Sequence, residues 1–286
     1  MSNRIDNLTV ISDNAGVFTD HSLSATSFIK DKFIIEAGEQ LYVGFYKPIS
    51  SFYAEISVPT TDKDGVTYEY YNGTAWVELN LADGTNGLTR SGFLNYNIED
   101  SQEIDINGET NHYIRITHTE DVCIVGIGCL FSDDCLLQEE YFEVVDPCLF
   151  PTNFNSHILS HVSARNHIMQ LLRNAGHLKH IPIREDHEDH SRYSHSKKND
   201  ERIVTCFDLL DKTEVALAAT YLALSTIFFR MADNQDSIEW DKYKEYQDRF
   251  QNTFKSIQVT LDVNDNGIKD DDDDSFISGG SFTWRR

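Results

Sequence analysis

The hydrophobic period of this chain changes once, near residue 150. Before that point short segments alternate apolar and polar residues; after it apolar residues recur at helical spacing. A period of two lines one face of a strand and a period near 3.6 one stripe of a helix, so no single pattern serves both. The expected fold class is therefore α+β. An N-terminal antiparallel β-sandwich occupies 1–150, a C-terminal α-helical bundle 151–261, and an acidic hinge with an extended C-terminal docking tail 262–286.

In the first part, Leu41–Tyr46, Tyr53–Val58, Val66–Tyr71, Trp76–Leu81, His112–His118 and Val122–Phe131 are predicted strands. Asn72-Gly73 predicts a two-residue hairpin, and Asp64-Gly65, Asp83-Gly84 and Asn107-Gly108 predict turns. Gly126-Ile127-Gly128 sits inside an apolar strand, where glycine marks a bulge or a close approach of backbone.

In the second part, Asn155–Ala175 is a predicted helix with Ile158, Val162, Met169 and Leu172 on one stripe and Gly176 at its end. A second helix starts at a capping box, Asp211-Lys212-Thr213-Glu214, and is apolar on most sides through Met231. Such a helix belongs in the middle of a bundle or at a subunit interface. A third, after the turn Asp233–Ser237, carries Trp240, Tyr243, Tyr246, Phe250, Phe254 and Ile257 on its stripe. The polar stretch Pro182–Asp200 is expected to be an exposed loop.

The net charge of −23 argues against any grip on nucleic acid by phosphate neutralisation. The opening Met-Ser-Asn-Arg-Ile-Asp lacks the apolar core of a signal peptide. Val215–Phe229 is too short and interrupted for a membrane span. Five cysteines, Cys123, Cys129, Cys135, Cys148 and Cys206, leave one over in any pairing, which favours reduced thiols and folding in a cytosol. Those in 123–148 form no C-x-x-C pair and read as small buried apolar residues rather than zinc ligands.

Three constellations could carry chemistry. The stretch 262–274 places oxygen side chains at Asp262, Asn264 and Asn266, a turn at Gly267, then Ile268, Asp270 and Asp273, a calcium-loop pattern with Asp where a bidentate Glu is usual. Against calcium stands a solvated acidic linker that ends the helical bundle. Eight of the eleven histidines lie between 157 and 195. His157 and His161 share a helix face, as a metal pair would, and His187 and His190 bracket two carboxylates, but no hydrolase signature results. The commoner role is loop or interface histidine, some paired with carboxylates. No nucleophile elbow, Walker A loop or dinucleotide fingerprint is present. Finally, Phe276, Ile277, Phe282, Trp284, Arg285 and Arg286 lie among Ser and Gly and suit docking on a partner.

Residues 211–286 resemble the head-to-tail connector (adaptor) proteins of tailed bacteriophages. The resemblance rests on the alanine-rich helix Glu214–Met231, the turn Ala232–Ser237, the aromatic helix Trp240–Ile257 and the acidic Leu261-Asp262-Val263-Asn264-Asp265-Asn266-Gly267. The first half is similar to β-modules of phage virion proteins. There the shared residues are Tyr70-Tyr71-Asn72-Gly73-Thr74-Ala75-Trp76-Val77-Glu78-Leu79, Asp83–Gly92 and the strand Tyr113-Ile114-Arg115-Ile116. A large β-domain departs from the small, all-helical adaptors.

The resemblance implies a non-catalytic virion protein of the neck, assembled in the host cytoplasm. It implies a homo-dodecameric ring against the portal protein and neighbouring ring proteins. DNA passes through without sequence-specific binding, and no membrane is involved. Tyr221, Leu224, Phe228, Trp240 and Tyr243 are the ring-interface candidates, and no cofactor beyond a structural Ca²⁺ is expected. Two other readings stand beside it. One is a calcium-dependent β-sandwich that recognises a glycan or protein surface, with Tyr70, Tyr71 and Trp76 lining the site. The other is a metal-dependent hydrolase built on the histidine-rich segment.

Overall fold

Strands fill the first part of the chain and helices dominate the second. A computed structural model describes residues 8–28, 32–98, 100–151, 154–174, 181–182, 201–202, 205–210, 212–262 and 274–277. The chain divides into two compact units, Met1–Leu130 and Phe131–Arg286. With two antiparallel multi-stranded sheets and five α-helices among the described residues, the class is α+β.

The first unit holds β1 (Thr9–Asn14), β2 (Val17–Asp20), a short helix α1 (Ser22–Ser27), β3 (Phe33–Ile35), β4 (Gln40–Phe45), β5 (Ser51–Val58) and β6 (Val66–Tyr71). It continues through β7 (Trp76–Glu78), β8 (Leu81–Asp83), β9 (Gly92–Tyr96), β10 (Glu103–Ile106), β11 (Glu109–His118) and β12 (Val122–Gly128). One sheet runs β2-β1-β4-β11-β6-β7, with β10 paired to β11; the other runs β3-β12-β5-β9-β8. The predicted strand Trp76–Leu81 is in fact two, β7 in the first sheet and β8 in the second. The chain changes sheet there, and Leu79 N–H still donates to Tyr68 O.

Turn chemistry explains a second difference. Asn107 and Gly108 both adopt positive φ (56° and 83°) and close the pair Ile106–Glu109, the two-residue turn that fits strand twist. Asn72-Gly73 does not close such a turn. Asn72 Oδ1 accepts from Thr74 N, Thr74 Oγ1 and Ala75 N, so residues 72–75 form a longer loop and the strands meet at Tyr71–Trp76. Gly126 behaves as expected of a strand glycine. It lies at a shift in the β12–β5 register, and a Cβ there would meet the ring of Phe28.

The second unit contains α2 (Asp134–Glu140), 3₁₀ turns at Phe142–Val145 and Pro147–Leu149, α3 (Ile158–Asn174) and the two-residue strands β13 (Ile181–Pro182) and β14 (Glu201–Arg202). A 3₁₀ turn at Cys206–Asp208 precedes α4 (Lys212–Met231), α5 (Ile238–Phe254), β15 (Gln258–Leu261) and β16 (Asp274–Ile277). The units part at Leu130, ahead of the change in period, because residues 131–150 are short helical turns and α2 packs on α4. As its all-round apolarity required, α4 is central and touches α2, α3 and α5. Val215, Ala218, Ala219, Leu222, Ala223, Leu224, Ile227 and Phe228 are buried on it. Ser225 Oγ and Gln247 Oε1, 3.0 Å apart, tie it to α5.

Among the described residues after α5, a second strand follows β15. β16 returns antiparallel onto β15, pairing Phe276 with Val259 and Ile277 with Gln258. The hinge and projecting tail expected from Asp262 onward are thus corrected over 274–277, where strand pairing takes the backbone back to its own unit. No helix among the described residues is long and apolar enough to cross a membrane.

Candidate interaction surface

The turn between α4 and α5 brings large apolar side chains to the surface of the second unit. Ser237 caps α5 by accepting from Trp240 N, which fixes where the helix starts and which way its first turn faces. Ile238, in that first turn, is 70% exposed, and Phe229, in the last turn of α4, is 54% exposed. Phe229 meets Trp240 at 6.1 Å and Tyr243 at 5.2 Å, and Trp240 meets Tyr243 at 5.0 Å, all ring centroid to centroid. Trp240 and Tyr243 are half-buried. The result is an aromatic cluster open on one side. The segment that carries it is acidic: Asp233, Asp236 and Asp241 are exposed and Glu239 is half-exposed. Lys244 lies over Trp240 at 5.7 Å and 3.6 Å from Asp241.

Beneath this surface lies a stack of rings and cations that joins α2, α4 and α5. Phe228 and Tyr246 stack at 5.6 Å with 7° between planes, and Tyr141 meets Phe228 edge-on at 5.3 Å. Lys242 sits 4.0 Å over Tyr141, to whose hydroxyl it donates. Arg249 lies over Tyr246 at 5.2 Å and over Tyr221 at 5.8 Å.

Of the ring-interface candidates, Trp240 and Tyr243 belong to the open cluster and Tyr221 is half-buried against Arg249. Leu224 and Phe228 are interior residues of the second unit, 0% and 2% exposed. Phe229 and Ile238 occupy the surface instead. Sequence patterning could not single them out, since a helix apolar on all sides does not advertise which side stays uncovered. The one local signal was Ile238 directly after a capping serine, a first-turn position that commonly faces water.

A polar centre links α2 and α3. Ser132 Oγ lies 2.8 Å from His161 Nδ1, and His161 Nε2 lies 3.0 Å from Asp134 Oδ1. With Nε2–H donating to the carboxylate, Nδ1 accepts from the serine. Asp134 also accepts from the backbone N–H of His157, and His157 Nε2 donates to Val144 O at 2.8 Å. The order Ser–His–Asp matches that of a hydrolytic triad, but Ser132 and His161 are each 1% exposed, so no substrate carbonyl can approach Oγ. The centre is a clasp that satisfies buried polar groups. Three ring nitrogens of His157 and His161, the pair that a metal could have shared, hold a carbonyl, a hydroxyl and a carboxylate, in keeping with the commoner role. The pairing of a histidine with a carboxylate was expected; Ser132 and Asp134 carried no periodic signal and were missed. Burial lowers the pKa of His157, partly opposed by its bond to Val144 O and by Asp134, and burial lowers that of His167.

Among the calcium-loop candidates only Asp262 falls within the described residues. It is buried, with its N–H donating to Asp208 O at 2.9 Å. Asn264, Asn266, Ile268, Asp270 and Asp273 lie outside, as do Phe282, Trp284, Arg285, Arg286, His187, His190, Gly176 and Asp211. No group of His, Cys, Asp or Glu placed for a metal ion occurs among the described residues. Of the four cysteines in 123–148, Cys129 is buried as expected and Cys123 half-buried, whereas Cys135 and Cys148 are exposed, because the helical turns that carry them lie at the surface; Cys206 is buried too.

In the first unit, Tyr71 and Trp76 pair across β6 and β7 and their rings lie 5.7 Å apart. Trp76 packs on Tyr42 and beneath Arg115, which is bonded to Glu69 at 2.7 Å. Tyr70, one residue before Tyr71, points to the other face and donates to Asp100. The three aromatics considered for a sugar site therefore do not share one platform.

Comparison with known proteins returns no matching family model, no matching curated protein and no matching solved structure.

Proposed function

We propose that this chain is a structural, non-catalytic protein that assembles into a ring at the neck of a tailed phage, joining capsid to tail and letting DNA through. The observation that carries this reading is the partly open aromatic cluster of Phe229, Trp240 and Tyr243 at the α4–α5 turn, with Ile238 exposed in the first turn of α5. Large apolar side chains grouped at one end of a helical pair gain from cover by another protein surface. The likeness of 211–286 to adaptor proteins supports a ring as the form of that cover. The charge of −23 supports a lumen that repels phosphate instead of gripping it. In this reading the portal and adjoining neck rings are the partners, and the site of action is the virion.

The two sheets of the first unit we read as the halves of a β-sandwich. Support comes from β9, β11 and β12, in which buried residues largely alternate with more exposed ones, as strands covered on one face would show.

Negative-stain electron microscopy of the purified full chain tests the proposal. Annular particles with an open centre are expected; monomers only, or open filaments, would count against it. Duplex DNA titrated at low salt should show no retained complex.

A further inference from the structure

Residues 278–286 read as a Ser-Gly-Gly-Ser spacer, Ser278 to Ser281, then Phe282, Thr283, Trp284, Arg285 and Arg286. The α4–α5 turn offers the converse, the rings of Phe229, Trp240 and Tyr243 in a segment that carries Asp233, Asp236, Glu239 and Asp241 and one cation on the cluster, Lys244, over Trp240 at 5.7 Å and 3.6 Å from Asp241. We infer that the segment Phe282–Arg286 of one copy docks on the α4–α5 aromatic cluster of a neighbouring copy. This rests on the ring-forming reading and names the contact that makes the ring.

Chemistry selects the occupant. Trp284 and Phe282 supply planar surface for Phe229, Trp240 and Tyr243. Arg285 and Arg286 supply the only paired cations after Lys269, in a chain whose acidic residues outnumber basic ones 47 to 24. Guanidinium groups pair with carboxylates and lie flat on aromatic rings, so both arginines suit an aromatic surface in an acidic segment.

Geometry selects a neighbour over the same copy. The cluster lies at the N-terminal end of α5, whereas Ile277 pairs with Gln258 beyond the C-terminal end of that helix. Trp240 and Phe254 are about 21 Å apart along the axis at 1.5 Å per residue. From Ile277 to Trp284 the chain spans at most about 25 Å when fully extended. Self-docking would thus need a straightened Ser-Gly-Gly-Ser spacer, at a high cost in conformational entropy. A contact between opposite ends of one unit is head-to-tail, and head-to-tail contacts repeat until the rotation closes a ring.

The test uses full-length chains and sedimentation velocity. One variant carries Arg285→Glu with Arg286→Glu, another Asp236→Lys with Asp241→Lys at exposed positions, and a third carries all four changes. Each double variant should weaken assembly about tenfold or more, and the four-fold variant should recover it, as reversed charge pairs do. A second pair removes the aromatics: Trp284→Ala in one chain, Phe229→Ser with Trp240→Ala in another. Each alone should be monomeric, and their mixture should stop at one-to-one dimers, since it holds one intact contact. Lack of recovery, lack of dimers in the mixture, or a wild type that stays monomeric to about 100 µM overturns the docking. Rings that form regardless of every change also overturn it, while leaving the ring reading in place. One-to-one dimers from the mixture, with wild-type products that are open chains, support the docking and remove the ring.

Discussion

His161 is held on both sides, by the hydroxyl of Ser132 and the carboxylate of Asp134, with almost no solvent contact. Removing the ring strands both partners. His161→Ala is expected to cost about 1–3 kcal/mol for the unsatisfied groups, before any loss of packing, and the urea midpoint measures it. Protonation acts on the neighbouring histidines. An unfolded chain protonates His157 and His167 near pH 6.5, while burial keeps them neutral to lower pH in the fold. The unfolded state then holds more protons below that pH, so stability falls as pH drops through 6.5 and is fully present above it. Thermal melting between pH 7.5 and 5.5 should show this fall, and His157→Gln should flatten it. At Gly126 the limit is steric. A methyl there overlaps Phe28, so Gly126→Ala should cost about 1–3 kcal/mol, and less in a Phe28→Leu background.

At the scale of elements, α5 depends on its cap. Ser237→Ala should destabilise by about 1 kcal/mol, read as a lower denaturation midpoint, and should loosen the first turn that presents Ile238 and Trp240. How much of this was legible follows from what each pattern encodes. The α4 and α5 helices were, since their apolar residues recur over many turns. Val66–Tyr71 was, since its neighbours Asp64-Gly65 and Asn72-Gly73 punctuate it. The split of 76–81 between two sheets was not, because alternation records burial and carries no information on which partner strand supplies it. The pairing of 274–277 with 258–261 was hidden by the acidic run between them, which reads as the end of structure. Of the surface, Trp240 and Tyr243 were legible from the stripe of α5. Phe229 was not, because only packing decides which side of an apolar helix remains open.

At the scale of the molecule, the open end of α4–α5 and the charge of −23 pull in different directions. Aromatic cover favours association, and like charge opposes it. Assembly should therefore strengthen from low to moderate salt as repulsion between copies is screened, then weaken where the arginine–carboxylate pairs are screened in turn. The most direct measurement is native mass spectrometry of the full chain beside Phe229→Asp. A closed oligomer of one fixed stoichiometry for the wild type, reduced to monomer by the substitution, is the predicted result. A monomeric wild type, or a closed oligomer indifferent to Phe229→Asp, would contradict the account.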